Sequence, residues 1–411
     1  MSVIQERIES YGETKKEQRV LFYLPGTAGL GHLSRAITLA TALRRLDPTV
    51  QILLITEAAD TRLAKEAHFV CLSIASIAPY IALLRDEESS NGLSAQYRLS
   101  VWQSLIESAM ASFHPTIVVH DTYIMEPVKK AAQKCNAVQI GVLRQSEKWQ
   151  SKRRDNHWLQ GLDLVLIPHS LDEHKAIHVP GFPPERVYYT GNLVRRTGSE
   201  ITPAALRMRY DLNDDEFVIV VTNGGGNQPI KKPSGEPRQQ ENFLQSIVQA
   251  VSILRTILPE NQRLRIIFIT GPLASGEHSF KYNRKDFNTT FSVQEYEPYL
   301  PDLLAAAHAT ICRGGYNTIS EVMAIGVPTL VIPVLDIFDD QEQRIAWAMT
   351  KHSYLQACSL DPTDIATRLQ LLIEQPWWHF APVSPAQDLL VQWKLEAAKK
   401  ILNCTKLTSI H

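Results

Sequence analysis

The stretch Arg19-Val-Leu-Phe-Tyr-Leu-Pro-Gly-Thr-Ala-Gly-Leu-Gly-His32 decides the fold. After Arg19 the first residues form a continuous apolar run, as a strand buried on both faces requires. Glycines follow where the chain must turn, because they permit positive φ and close backbone approach. From Gly31 to Leu46 the apolar positions Leu33, Ala36, Ile37, Ala40, Leu43 and Leu46 recur every three or four residues. That spacing predicts a helix, which Asp47-Pro48 ends. Strand, glycine loop and helix together open a βαβ unit.

Similar runs recur at Gln51–Thr56, Thr116–Val119 and Asp163–Ile167, each separated by helical pattern. Continuous rather than alternating hydrophobicity implies a parallel sheet covered by helices on both faces. The order restarts at Glu216-Phe-Val-Ile-Val-Val-Thr-Asn-Gly-Gly-Gly226, with later strands at Arg265–Thr270 and Pro328–Pro333. The reading is therefore α/β, with two Rossmann-like, doubly wound domains facing a cleft over residues 1–196 and 197–375. Arg195-Arg-Thr-Gly-Ser-Glu200 reads as exposed linker between them. A helical tail over 376–411, with apolar spacing at Leu389, Leu390, Trp393, Ala397 and Ile401, is expected to pack back on a domain.

Composition narrows the function. The 411 residues are 44% hydrophobic, enough for more than one core. Lys+Arg 42 against Asp+Glu 43 leaves a net charge of −1, so no global field draws the chain to nucleic acid, and no nucleic-acid partner is expected. Five cysteines without a C-x-x-C pair suggest neither a disulfide framework nor a zinc ribbon and fit a reducing cytoplasm. The polar amino terminus lacks a signal-peptide core, and no run of 18 apolar residues occurs.

Several motifs could carry chemistry. Gly26-Thr-Ala-Gly29-Leu-Gly31-His32 has the spacing G-x-x-G-x-G rather than G-x-G-x-x-G, and only Glu57 could close the second strand as a ribose-binding acid, which argues against a nicotinamide site. His32 stands at a helix N-terminus, where the dipole favours a neutral imidazole able to act as a base; a capping or packing role is the alternative. His120-Asp121 closes a strand at the ligand-facing edge of the sheet, so Asp121 could orient His32 or simply cap the turn that follows. Asn223-Gly224-Gly225-Gly226 offers free backbone N–H groups to phosphate oxygens, against the alternative of a ligand-free turn. In Arg313-Gly314-Gly315-Tyr-Asn317-Thr318-Ile-Ser-Glu321 the glycines and Thr318 open a helix, and Glu321 could accept both hydroxyls of a ribose or lie solvated. Asp339-Asp340-Gln341-Glu-Gln343-Arg344 opens a further helix and suits sugar hydroxyls.

No Asp-x-Asp triplet occurs, so no metal site and no cofactor are expected. His174 and His178 read as helix surface, since Val179-Pro-Gly follows them and no third ligand is evident. Lys148-Trp-Gln-Ser-Lys-Arg-Arg154 reads as a solvated loop, with weak peripheral contact to anionic lipid or acceptor phosphate as the other reading.

Joined, these residues resemble a family: the chain is similar to GT-B glycosyltransferases of family 28, the branch that contains the peptidoglycan N-acetylglucosaminyltransferase. The resemblance rests on Gly29-Leu-Gly-His32, Thr190-Gly-Asn-Leu-Val-Arg195, Gly224-Gly-Gly226, Arg313 to Glu321, and Gly326-Val-Pro328 through Asp340-Gln341. It implies a carboxy-terminal domain that binds a nucleoside-diphosphate sugar, with UDP the expected nucleotide, and an amino-terminal domain that binds the acceptor. It also implies inverting transfer without metal. By resemblance Glu321 holds the ribose, Gly225, Gly315 and Thr318 the diphosphate, Tyr296 lies by the base, and Gln341 meets the sugar. His32 would deprotonate the acceptor hydroxyl with Asp121 as partner. Gly29, Gly31, Arg144 and the loops Pro79–Arg98 and Arg144–His157 fall on the acceptor side, for a small-molecule, glycan or lipid-linked acceptor.

The match departs from the family in two places. Glu-Gln-Arg344 follows Gln341 where the family has Asn-Ala, so Gln341 and Gln343 compete for the sugar. The lipid-loop sequence of the peptidoglycan enzyme is absent, and the chain is nearer a bacterial group of predicted glycosyltransferases bearing Thr270-Gly-Pro272 and Gly315-Tyr-Asn-Thr318. A nucleotide-sugar hydrolase or 2-epimerase of the same fold, or a catalytically idle nucleotide-sugar-binding scaffold, are the competing readings. The expected location is the cytoplasm, including the inner face of the membrane.

Overall fold

The computed structural model describes residues 17–26, 30–77, 90–144, 159, 161–171, 182–195, 202–225, 243–272, 288–333, 340–374 and 386–407. Two parallel sheets organise them. The first contains β1 (Arg19–Leu24), β2 (Gln51–Thr56), β3 (Val70–Ser73), β4 (Ile117–Asp121), β5 (Val138–Val142), β6 (Leu164–Ile167) and β7 (Val187–Tyr189), in the order β3-β2-β1-β4-β5-β6-β7. The second contains β8 (Glu216–Thr222), β9 (Arg263–Ile269), β10 (Thr289–Gln294), β11 (Ala309–Arg313), β12 (Thr329–Ile332) and β13 (Leu355–Ala357), in the order β10-β9-β8-β11-β12-β13. Among the described residues the strands of both sheets pair in parallel.

Five helices matter for the site: α1 (Gly31–Leu46), α2 (Ser90–Phe113), α3 (Tyr316–Ile325), α4 (Gln341–Lys351) and α5 (Ala386–Leu407). The pleat of β1 explains why both faces of the first sheet are covered. Val20, Phe22 and Leu24 pack with Leu33, Ala36, Ile37 and Ala40 of α1, while Leu21 and Tyr23 pack with Trp102, Ile106 and Met110 of α2. The second sheet repeats the arrangement: Phe217, Ile219 and Val221 of β8 face one helical layer, and Val218 and Val220 face α3 through Ile319 and Val322. Burial on both faces is why these strands read as unbroken apolar runs. The architecture is the two-domain α/β GT-B fold.

α1 begins and ends where its periodicity predicts, with Arg44 and Arg45 in the last turn, the favourable end of the helix dipole for cations. Two expectations need correction. Ser90–Arg98, read as part of an acceptor loop, is the start of the 24-residue helix α2; its mixed composition hides the helical period. Arg195, read as exposed linker, is half-buried; before it Val194 is buried against Ala324 of the second domain and Leu390 of the tail, and Leu193 in the first domain's core.

The tail does more than pack back. Ala397, Ala398, Ile401 and Cys404 of α5 are buried in the same core as α1, so the carboxy-terminal helix completes the amino-terminal domain. Where it crosses the junction, Leu390 and Trp393 meet Val194 and Ala324. Trp393 lies flat against the backbone of Gly191: a Cβ there would stand 2.2 Å from Trp393 Cδ2, and φ at this glycine is +71°. Gly191→Ala should therefore cost roughly 1–2 kcal/mol for the left-handed backbone and about 1–3 kcal/mol for overpacking. Thermal denaturation should show a lowered Tm, and limited proteolysis should release the tail ahead of the rest; an unchanged melt would contradict this account of the junction.

Candidate active site

In each sheet the strand order reverses direction at one place, between β1 and β4 in the first and between β8 and β11 in the second. Doubly wound sheets bind ligands at the carboxyl ends of the strands flanking such a point. The segments singled out in the sequence follow those four strands. Gly26 and Gly31-His32 follow β1, Asp121 ends β4, Asn223-Gly224-Gly225 follow β8, and Gly314-Gly315 follow β11.

On the first domain, Nδ1 of His32 lies 2.8 Å from Oδ1 of Asp121. The side chain of α1's N-cap, Leu30, makes no capping hydrogen bond, and His32 is bound to Asp121. Asp121 is 2% exposed and also accepts from Arg35 Nε at 2.9 Å, from Arg35 Nη2 and from the Thr122 hydroxyl at 2.8 Å. Burial alone would raise the pKa of Asp121, but the Arg35 charge, and then His32, hold it well below the usual carboxylate range. The neighbouring His120 is turned into the sheet, where burial pushes it down to about 4 while its Nε2 meets Gln139 Oε1 at 3.1 Å. It is a core residue.

Glu57, the acid at the end of β2, anchors the glycine loop. It accepts from the Tyr23 hydroxyl at 2.6 Å, the Gly26 N–H at 3.2 Å and the Ser76 hydroxyl at 2.8 Å. A carboxylate so engaged has no free pair of lone-pair sites for a ribose.

On the second domain, Gly315 caps α3 with extended backbone, leaving the helix N-terminus open, and Thr318 is half-buried in its first turn. Gly314 has no room for a side chain, since a Cβ would stand 2.8 Å from Ile345 Cδ1 and 2.9 Å from Gln341 Oε1. Its carbonyl accepts from Arg344 Nη1 at 2.8 Å. Arg344 and Gln341 thus bind α4 to the β11–α3 turn, and Asp340, the α4 N-cap position, is buried with them. Gln341 is buried and Gln343 exposed, so the two glutamines have distinct surroundings. Arg313 is buried, with its guanidinium 4.2 Å from the Phe243 ring centre and Nε 3.4 Å from Asn223 Oδ1. It ties the two glycine turns together.

Glu321 is not solvated. It is 7% exposed, no hydrogen bond to it is found among the described residues, and burial raises its pKa to about 7 while nearby Arg195 opposes the shift. A buried carboxylate without a donor is costly unless something supplies one.

The domains touch at named points. The Asn317 amide donates to the Gly31 carbonyl at 3.0 Å, joining the start of α3 to the start of α1. Arg35 and Arg344 both approach Tyr316, each guanidinium carbon 5.8 Å from its ring centre, and the His169 ring packs edge-on against it with ring centres 4.8 Å apart. Tyr296, expected beside the base, gives its hydroxyl to Glu66 at 2.8 Å and lies 4.9 Å under Arg62, which also pairs with Glu295. Arg144 is half-buried just past β5, at the same edge of the sheet.

Gly29, Gly226, His174, His178, Lys148–Arg154 and most of the acceptor loops lie outside the described residues. Among the described residues there is no cluster of three or more metal-ligating side chains, and no helix is long and apolar enough to cross a membrane. Arg35 belongs to none of the sequence motifs, and Tyr316 and Arg344 stand in theirs without an expected role of their own. The signal for Arg35 was its place three residues after His32 and therefore on the same face of α1.

Residues 239–375 match the model of the glycosyltransferase family 28 C-terminal domain. A UDP-N-acetylglucosamine--N-acetylmuramyl-(pentapeptide) pyrophosphoryl-undecaprenol N-acetylglucosamine transferase of Symbiobacterium thermophilum is 23% identical over 364 residues, covering 86% of this chain and 87% of that one. A transferase of the same name from Exiguobacterium sp. is 25% identical over 336 residues, covering 78% and 82%. Among solved structures, the spinosyn forosaminyltransferase SpnP is similar with a TM-score of 0.60 at 14% identity over 95% of this chain and 99% of that one, a likeness of fold alone. Taken with the two facing sheets, these matches make the protein a family-28-like glycosyltransferase of the GT-B fold.

Proposed function

We propose that the protein moves a sugar from a UDP-linked donor to a hydroxyl acceptor in one inverting displacement that needs no metal. The observation that carries this reading is the His32–Asp121 pair, a base candidate backed by a buried, ionised carboxylate, at the cleft edge that faces the start of α3. His32 takes the proton of the acceptor hydroxyl as its oxygen bonds to the anomeric carbon. The bond from that carbon to the diphosphate oxygen breaks, and the electron pair leaves with UDP. Attack and departure on opposite faces invert the anomeric configuration.

The negative charge on the leaving diphosphate falls to the open N-terminus of α3, to Thr318 and to the backbone of Gly225, the Gly224 N–H being donated to the Thr222 hydroxyl at 3.2 Å. This is the task a divalent cation performs in Asp-x-Asp enzymes, and the sequence holds no such triplet. Glu321 would accept the ribose hydroxyls, the donors its burial calls for. The relatives' names support uridine as the base and include a lipid-linked acceptor; for this chain the proposed acceptor class is a molecule with a free hydroxyl, met in the cytoplasm. The five free cysteines fit that compartment.

A thermal-shift panel with UDP, TDP, GDP and ADP, with and without EDTA, tests the donor half. UDP at about 100 times its Kd should add roughly 2.7 kcal/mol of stability, undiminished by EDTA and lost in Glu321→Ala. Stabilisation by none of the four would sink the proposal. His32→Ala should keep the UDP response and lose transfer by about 10²–10⁴-fold; full transfer in that variant would remove His32 from the mechanism.

Glu321 also makes a pH prediction. Its carboxyl holds a proton more tightly in the folded chain than in the unfolded one, so the stability it contributes is full below about pH 4.5 and falls away as pH rises through about 7. Glu321→Gln removes that loss. Without nucleotide, the variant should match the wild type near pH 4.5 and exceed it at pH 8 by up to about 3 kcal/mol. A stability difference that does not change with pH would show the carboxyl is not buried as described.

A further inference from the structure

Arg35 lies one helical turn beyond His32 and is 3% exposed. Its fork grips both oxygens of Asp121, Nε reaching Oδ2 at 2.9 Å and Nη2 reaching Oδ1, while Nη2 also donates to the Thr122 hydroxyl at 3.1 Å. A carboxylate bound at one oxygen can rotate about its Cβ–Cγ bond; one held by both arms of a guanidinium keeps its plane. That plane aims Oδ1 at Nδ1 of His32, 2.8 Å away. An ionised carboxylate only accepts, so this contact requires the imidazole proton to sit on Nδ1. Arg35 Nη2 is also 3.5 Å from Nδ1, and a guanidinium only donates. Were Nδ1 bare it could turn to Arg35, and the ring would have two competing partners. The same guanidinium lies against Tyr316, the first residue of the helix at the donor side.

We propose that Arg35 is a positioning residue of the transfer step. By clamping Asp121 it commits His32 to the tautomer protonated on Nδ1 and leaves Nε2 to take the acceptor's proton. Arg35 touches no reacting atom and gives up no proton; it acts through Asp121. The assignment rests on the reading of His32 as the base. Lysine keeps the charge but offers no planar fork, so it separates the clamp from the ion pair.

The test is ¹⁵N NMR of the imidazole nitrogens in the full chain labelled with ¹⁵N-histidine, with the His32 signals identified by their loss in His32→Ala. The wild type should show a single Nδ1-protonated pattern for His32. Arg35→Lys, which keeps the buried charge, and Arg35→Gln, which keeps a planar donor without charge, should each lose that single pattern to exchange between tautomers. Thermal melts and circular dichroism establish which variants are folded. A folded variant with the wild-type pattern overturns the clamp, as does a wild type protonated on Nε2. Were His32→Ala to retain transfer, the base reading would fall while the tautomer result in the Arg35 variants stood, so the two failures are told apart.

Discussion

Two helix N-termini meet across the cleft, and the Asn317 amide donating to the Gly31 carbonyl joins them. Each helix start carries roughly half a positive charge from its unpaired N–H groups. Bringing two such ends together, with the buried guanidiniums of Arg35 and Arg344 beside Tyr316, concentrates positive potential where the sheets reverse direction. Asp121 answers it on one side, ionised and fully engaged; Glu321 answers it on the other, buried and with no donor among the described residues. A nucleoside diphosphate suits that asymmetry, since it brings anionic oxygens for the helix start and hydroxyls for the waiting carboxylate.

The same contact constrains how the domains are joined. The starts of α1 and α3 touch at the base of the cleft, Tyr296 and Glu295 reach Glu66 and Arg62 at its side, and the tail returns across the junction to finish the first domain's core. The exposed pair between Arg62 and Glu295 contributes little by itself, because water screens it. The apolar seat of Leu390 and Trp393 on Val194, Ala324 and Gly191 holds the junction more strongly, since it removes apolar surface from water and fits too closely for any side chain at Gly191. Packing thus sets how the domains are joined, with polar contacts fixing the register.

Much of this was legible one residue at a time. The apolar stripe of α1 predicted both of its ends, the unbroken strand runs predicted sheets covered on two faces, and the glycine turns marked strand ends that lie where both sheets reverse direction. What local sequence did not carry was through-space. Arg313 is tied to Asn223 and Phe243, Glu57 anchors the first glycine loop, and Gln341 and Gln343 were indistinguishable until α4 buried one and exposed the other. Ser90–Arg98 carried too little periodicity to be told from a loop and owes its helix to packing of the turns that follow.

By itself the sequence determined the two-domain α/β fold and the four turns that follow the strands flanking each reversal, because periodicity and turn preference act over a few neighbouring residues. Only the tertiary structure decided that Arg35 clamps Asp121 and that Asn317 meets Gly31, pairs 86 and 286 positions apart, and that the tail belongs to the first domain's core. Partners so distant in the chain leave no local pattern, and burial alone makes their charges and hydrogen bonds strong enough to shape the site.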